Sequence, residues 1–331
     1  MNRYEHIDIA RGIAILLVVL GHSCTSLDGV NRVILSFHMP LFFLLSGIFS
    51  KPVEPSLRAV GGGILQKMKR LLLPEVVLSS ICVLQAFMLW IKAGHNIADY
   101  NPWSDMINWF LPVLFICSVM HMTILTITRQ IRPLYVNVTL LFVCLCLIPI
   151  ATSNAGDYDT ISKTWNIVVK LPIAFTYFIL GNILKPMVLK ESFSSKYWGI
   201  IDICIVCMLV IASNINEPVL MYKNVYGNIL LFFMTSLMGA YMVLRISQKL
   251  KNCHFLTYAG TNSIVFYVWN FIAVFVTAFT LNKFFPDLMS TSVEIFTSIR
   301  FSLSIGIIFL ITEITVKYIP FIYGITKRKK I

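Results

Sequence analysis

The sequence has few charged residues. Aspartate, glutamate, lysine and arginine make up 13% of its 331 residues, whereas about a quarter of a typical soluble domain is charged. Acidic residues are especially scarce, with 15 of them against 27 lysines and arginines, and the formal net charge is +12. Hydrophobic residues account for 57% of the chain, and its mean hydropathy is +0.80. These values exclude a soluble globular protein and predict an integral membrane protein.

Several familiar motifs are also absent. The sequence contains no Walker loop, no dinucleotide-binding glycine fingerprint, no H-E-x-x-H metal motif and no nucleophile elbow. No polar segment is long enough for a soluble domain, and no small-residue cleavage site follows the first apolar run. We therefore expect one membrane domain over residues 1–331. The eight cysteines fall almost entirely within apolar runs, which favours a packing role over metal or redox chemistry.

Long apolar runs dominate the remaining sequence. A run of about 18–25 residues is long enough to cross a bilayer as a helix. We therefore predict an all-α, polytopic membrane protein with about ten transmembrane helices. Their expected positions are about 7–27, 33–50, 71–92, 106–128, 134–151, 166–185, 197–214, 225–246, 257–281 and 296–319.

Lysine and arginine are unequally distributed between the connecting loops. Every second loop is rich in them, and the remaining loops hold only Arg32, Lys163, Lys223 and Lys283. Because positively charged loops tend to stay in the cytoplasm, both termini are predicted to be cytoplasmic. This topology accounts for the positive net charge, so we expect membrane lipids and no nucleic acid as partners.

The first predicted span carries two ionisable residues, Arg11 and His22, eleven positions apart. At ~1.5 Å rise and ~100° per residue, their side chains leave the same face of one helix, roughly 16 Å apart along its axis. A charge inside a bilayer is costly unless it faces protein or water. We therefore expect this face to line a cavity that crosses much of the membrane.

A second histidine, His38, lies in the next predicted span, which runs in the opposite direction. Because the connecting loop is short, we expect the two helices to be neighbours, with His22 and His38 at similar depth in the outer part of the membrane. Neutral histidine can take a proton from an attacking hydroxyl and return it to a leaving group. The alternative is that each histidine simply bonds a neighbouring backbone or serine.

Arg11 is a candidate ligand for phosphate oxygens, which suit the guanidinium fork. Lys69 and Arg70, in the basic segment that enters the third span, are candidates to join it. Both features have a structural alternative: Asp8 or Glu75 neutralises Arg11, and the basic segment holds topology and lipid head groups. Five further ionisable residues in or near spans are interpreted as structural: His121, Lys170, Asp202, Glu313 and Arg300. Glu313 is spaced for a helical pair with Lys317, and Lys170 and Arg300 lie near outer helix ends, where long side chains can reach the membrane surface.

The chain resembles the membrane-bound acyltransferase family 3. The resemblance rests on Arg11 and His22 with their spacing in the first span, and on the motifs FHMPLFFLLSG at 37–47, RLLLP at 70–74 and WFLPVLF at 109–115. Near the end of the chain, family members often show a histidine in a segment like I-Y-x-x-H. Here Asn270 stands at that position. This amide retains a polar role but cannot transfer a proton.

The resemblance implies transfer of an acetyl or related acyl group from cytosolic acyl-coenzyme A to a sugar hydroxyl of a bacterial surface glycan or its lipid-linked precursor. We predict an inner-membrane O-acetyltransferase with acetyl-CoA as co-substrate and no permanently bound cofactor or metal. His22 would be the general base, His38 would orient the acceptor or stabilise developing charge, and Arg11, Lys69 and Arg70 would hold the donor phosphates. Asp8, Glu75 and Asn270 would support them.

Two other mechanisms remain open at this point. An acyl-histidine intermediate would replace direct transfer if the acyl group passed through the enzyme. A transporter or flippase for an anionic or glycan substrate would also place polar groups within spans, although the sequence shows no inverted repeat.

Overall fold

The computed structural model describes residues 4–94, 108–156, 162–190, 199–250, 252–286 and 292–320. Within these ranges the chain is helical, and its only β-pairing is an isolated bridge between Leu220 and Val225. The helices are α1 (Glu5–Ser23), α2 (Val30–Gly47), α3 (Leu57–Lys92), α4 (Phe110–Ile127), α5 (Pro133–Ser153), α6 (Lys163–Leu189), α7 (Ile200–Ile215), α8 (Ile229–Lys249), α9 (His254–Thr261), α10 (Ser263–Phe284) and α11 (Val293–Tyr318).

Nine of these described helices are long and apolar enough to cross a membrane, and α7 is a shorter apolar helix. The prediction of an all-α polytopic membrane protein is confirmed. Two predicted spans differ from the observed helices by more than about four residues at one end or in their continuity. The third helix begins at Leu57 rather than near residue 71, and the predicted span 257–281 is divided at Asn262 into the short α9 and the long α10. The first residues of the predicted spans 106–128 and 197–214 lie outside the described ranges.

The local sequence explains several helix starts. Ser56, Ser162 and Ser292 each accept a hydrogen bond from a backbone N–H of the first helical turn of α3, α6 and α11. Asn228 accepts two such bonds at the start of α8. Each cap provides a partner for backbone donors that a helix cannot satisfy internally.

The helices alternate in direction, so the bundle has two sides. On the basic side α1 begins and α2 and α6 end: His6 Nε2 lies 3.1 Å from Val188 O, and Asn182 donates to Gly47 O at 3.0 Å. On the far side α1 and α7 end and α2 begins, and there the Arg32 guanidinium donates to Asn214 O at 3.1 Å.

Glycines allow two very close helix crossings. A Cβ on Gly47 of α2 would lie 1.8 Å from Phe178 O of α6, and one on Gly181 of α6 would lie 1.9 Å from Leu44 O. A Cβ on Gly12 of α1 would similarly lie 2.1 Å from Leu256 O of α9. These contacts hold α1 and α2, which carry the residues predicted to be functional, tightly against their neighbours.

Candidate functional site

A cavity of about 960 Å³ opens among α1, α2, α3, α4 and the α9–α10 junction. Its volume is at the upper end of the range typical of small-molecule sites. The residues that line it on the basic side are mostly charged or polar, and they include Arg11, Gln66, Lys67, Lys69, Arg70 and Ser118. Aromatic side chains line the remainder, among them Phe42, Phe110 and Tyr267. The cavity therefore combines a cationic part with an apolar part.

Arg11 is held in the cavity wall by three weak contacts. Its guanidinium lies 3.7 Å from the Asp8 carboxylate, donates to Leu45 O at 3.5 Å, and lies 5.0 Å from the centre of the Phe49 ring. Asp8 precedes it by one helical turn, which is the spacing of a helical ion pair. Asp8 is thus the predicted neighbour of Arg11, and the side chain of Arg11 remains 21% exposed.

Other cations surround Arg11. Arg70 lies within electrostatic reach of Arg11, and Lys67 lies within reach of Arg70. Lys67 also donates to the Ser118 hydroxyl at 2.5 Å, and Lys69 lines the same cavity. The repulsion between these like charges is offset when an anion binds among them. This cluster, Arg11, Lys67, Lys69 and Arg70, has the chemistry of a binding site for phosphate groups.

A chain of hydrogen-bonded polar side chains extends from Ser50 in the cavity wall into the protein interior. Ser50, which lines the cavity, contacts His121 Nδ1 at 2.8 Å, and His121 Nε2 contacts Asn137 Oδ1 at 2.9 Å. Asn137 then donates to Asn182 Oδ1 at 2.9 Å, and Asn182 donates to Ser50 O at 2.9 Å. The backbone carbonyl of Ser50 can only accept, so the Asn182 amide nitrogen donates to it and the Asn182 oxygen accepts from Asn137. The Asn137 oxygen must then accept as well, which assigns the donors for a neutral His121. His121 donates through Nε2, and the Ser50 hydroxyl donates to Nδ1.

His22 and His38 do not line this cavity. His22 is exposed near the far-side end of α1, where its ring packs against Phe271 of α10 at 4.7 Å between centroids. His38 is buried and bonds Ile34 O through Nδ1 at 2.8 Å. The two imidazoles lie within electrostatic reach of each other. The Nδ1 bond of His38 leaves its Nε2 as the atom that can face a ligand.

The cavity ends close to His22 without including it. Tyr267 lines the cavity, and Phe271 follows it by four residues, hence on the same face of α10 and one turn nearer the far side. The expected cavity along the Arg11–His22 face is therefore present over the Arg11 half, where Ile15 also lines it. Aromatic rings separate it from His22.

Glu75 is not a partner of Arg11. Its Oε1 accepts hydrogen bonds from the Ser79 hydroxyl at 3.1 Å and from the Asn108 backbone N–H at 2.9 Å. It thus joins α3 to the residues that lead into α4. Asn270 is wholly buried in α10, and neither its oxygen nor its nitrogen has a hydrogen-bond partner among the described residues.

Three residues at the site were not assigned a site role from the sequence. Lys67 belongs to the basic segment, and its spacing of three residues from Arg70 could have indicated a shared helix face. Tyr267 is the tyrosine of the segment that resembles I-Y-x-x-H and ends at Asn270, but no role was assigned to it. Arg300 of α11 was interpreted as a snorkelling residue, yet it lies within electrostatic reach of His22. Among the described residues, no group of three or more His, Cys, Asp or Glu side chains is arranged to hold a metal ion.

Comparison with known proteins identifies the family. The sequence model of an acyltransferase domain, that of acyltransferase family 3, matches residues 4–314. The match covers α1 to α4, α9 and α10, which form most of the cavity, and both histidines. No curated protein and no solved structure matches the chain. With its multi-pass bundle of apolar helices, this chain belongs to acyltransferase family 3 and is a membrane acyltransferase.

Proposed function

We propose that this acyltransferase transfers an acetyl group from cytosolic acetyl-CoA to a sugar hydroxyl of a bacterial surface glycan or its lipid-linked precursor. The single observation that carries the proposal is the cation cluster in a cavity large enough for an extended ligand. Coenzyme A carries its phosphates at one end and its thioester at the other. Such a donor suits a cavity with a cationic part and an apolar part.

The proposed orientation places the basic side in the cytoplasm of a bacterial inner membrane, with both termini there. The support is the lysine and arginine distribution, which agrees with the alternating helix directions. Acetyl-CoA would then enter from the side on which it is made. The acceptor would approach from the far side, where His22 is exposed.

Arg11, Lys69 and Arg70 hold the donor phosphates in this proposal, and Lys67 joins them. Each charge-assisted hydrogen bond from these side chains is short-ranged and directional, and the Arg11 and Arg70 forks suit phosphate oxygens. Asp8 supports Arg11 by limiting the rotation of its side chain. The thioester then extends along Ile15 toward Tyr267.

His22 acts as the general base. Its imidazole removes the proton of the acceptor hydroxyl as that oxygen attacks the thioester carbonyl carbon. The C–S bond then breaks, and the imidazolium returns this proton to the leaving CoA thiolate. His38 orients the acceptor or stabilises the developing charge, and Asn270 supplies an amide. Donor and acceptor meet beyond Tyr267, which requires the aromatic rings around Phe271 to move aside when both are bound. Positioned general base catalysis contributes about 10²–10⁴ in rate.

The test is transfer from radiolabelled acetyl-CoA in membranes of the native host. Membranes with the wild-type protein and membranes from a strain that lacks it are compared, and label is followed into lipid-linked and polymeric glycan fractions. Protein-dependent label in either fraction supports the proposal and identifies the acceptor pool. If neither acetyl-CoA nor longer acyl-CoA donors give label while the folded protein is present, the proposal is wrong. Label trapped on the protein with donor alone would favour an acyl-histidine route.

A further inference from the structure

We propose that Arg300 recognises an anionic group on the acceptor, so that the sugar acylated by this protein carries a phosphate or carboxylate near the modified hydroxyl. This inference rests on the proposed function, because it assigns the acceptor to the far side near His22. The only predicted role for Arg300 was that of a long side chain reaching the membrane surface. Its contacts assign it a more specific position.

Arg300 is fixed beside the end of α1. From α11 its Nη1 donates to Ser23 O at 3.2 Å, and its Nε donates to Val274 O of α10 at 3.4 Å. The first carbonyl belongs to the residue directly after His22. The guanidinium therefore joins three helices within one residue of the proposed general base, and it lies within electrostatic reach of the imidazole.

The charge of Arg300 is not neutralised by the contacts it makes. Both acceptors are neutral carbonyls, and in the part of the chain that the structure describes no carboxylate forms an ion pair with it. A guanidinium has five N–H donors, of which these carbonyls use two. Next to a membrane, a half-buried cation without a counter-ion is costly and commonly marks a substrate pathway.

Nearby chemistry agrees with an anion-binding role. Burial raises the pKa of the neighbouring Cys24 thiol while the Arg300 charge acts in the opposite direction, so this thiol does not provide a permanent negative partner. Two N–H groups bound to backbone fix the plane of the guanidinium and leave three N–H groups, two of them on Nη2, for phosphate or carboxylate oxygens. His22 is exposed within the same region. An acceptor held there by its anion would present a neighbouring hydroxyl to the imidazole.

The test uses charged and neutral competitors of matched structure. Transfer of label from acetyl-CoA to the native glycan is measured in host membranes in the presence of methyl glucuronide, glucose 1-phosphate or methyl glucoside. With the wild-type protein, we expect at least one anionic competitor to inhibit at about tenfold lower concentration than the neutral glucoside. Arg300→Gln should remove this difference, and Arg300→Lys should retain part of it. Arg32→Gln changes another far-side arginine and should leave the difference intact.

The outcomes separate the two proposals. If the wild-type protein gives no label, the proposed function fails. If label appears but all competitors inhibit equally, or if Arg300→Gln keeps the preference for the anion, then acceptor recognition by Arg300 is wrong. If the partner of Arg300 is instead a phospholipid head group, Arg300→Gln would lower transfer without changing the ranking of the competitors. That result also contradicts acceptor recognition by Arg300.

Discussion

The His22 ring packs against Phe271 at 4.7 Å between centroids, one turn of α10 beyond Tyr267 in the wall of the cavity. Through this contact, His22 lies next to the helix whose preceding turn forms part of the cavity wall. The cation cluster and the cavity lie on the basic side, His22 and Arg300 lie toward the far side, and aromatic rings lie between them. A donor and an acceptor approaching from opposite sides of the membrane would meet at this barrier.

Replacing Arg11 should weaken donor binding more than the chemical step. With Arg11→Ala we expect the KM for acetyl-CoA to rise about tenfold or more, because a charge-assisted hydrogen bond contributes about 1.5–3 kcal/mol. The measurement is steady-state transfer at varied acetyl-CoA, with Lys51→Ala as a control since Lys51 is exposed and outside the cavity.

A donor without nucleotide phosphates makes the Arg11 experiment specific. S-acetyl-pantetheine has the same thioester but nothing for the cation cluster to bind. Wild type and Arg11→Ala should therefore use it equally well. If Arg11→Ala lowered the rate of transfer equally with both donors, Arg11 would only maintain the structure.

Replacing His121 should destabilise the protein. His121→Ala leaves the Ser50 hydroxyl and the Asn137 amide oxygen without their partner, and each orphaned buried group costs about 1–3 kcal/mol. The measurement is thermal unfolding of the detergent-purified protein. His254→Ala removes an exposed histidine and is the matched control. Equal unfolding temperatures for the two variants would contradict a structural role for the Ser50–His121–Asn137 chain.

Adding a methyl group at Gly47 should also destabilise the fold. Gly47→Ala places a Cβ 1.8 Å from Phe178 O, so α2 and α6 must move apart, and overpacking of this kind costs about 1–3 kcal/mol. Gly61→Ala is the control, because a Cβ there meets nothing within 4 Å and alanine favours a helix. The unfolding temperature should fall for Gly47→Ala and stay equal or rise for Gly61→Ala. The reverse order would contradict the close crossing.

Most of the fold could be predicted because a bilayer imposes a simple rule. A helix must stay apolar for about 20 residues to cross it, and that length is visible in one sequence. The exceptions have local causes. Asn262 interrupts an apolar run and separates α9 from α10, and the polar start of α3 is helical although it is too charged to be recognised as a span.

The site was harder to predict because contacts between helices depend on rotation and relative height. The Arg11–Asp8 pair lies within one helix, so its spacing was sufficient. The partner of Glu75 depends on the position of α3 along its axis relative to α4, which a single sequence does not specify. The same holds for His121, whose hydrogen-bond partners Ser50 and Asn137 come from two different parts of the chain. It also holds for Arg300, which contacts the end of α1 and the middle of α10.

The central claim is that His22 is the catalytic base, and one measurement tests it most directly. Acetyl transfer from radiolabelled acetyl-CoA to the glycan fraction is compared for wild type, His22→Ala and His254→Ala at equal amounts of protein in the membrane. We expect His22→Ala to lose about 10²–10⁴ in rate and His254→Ala to match wild type. Transfer by His22→Ala at the wild-type rate would contradict the account and remove His22 from the mechanism.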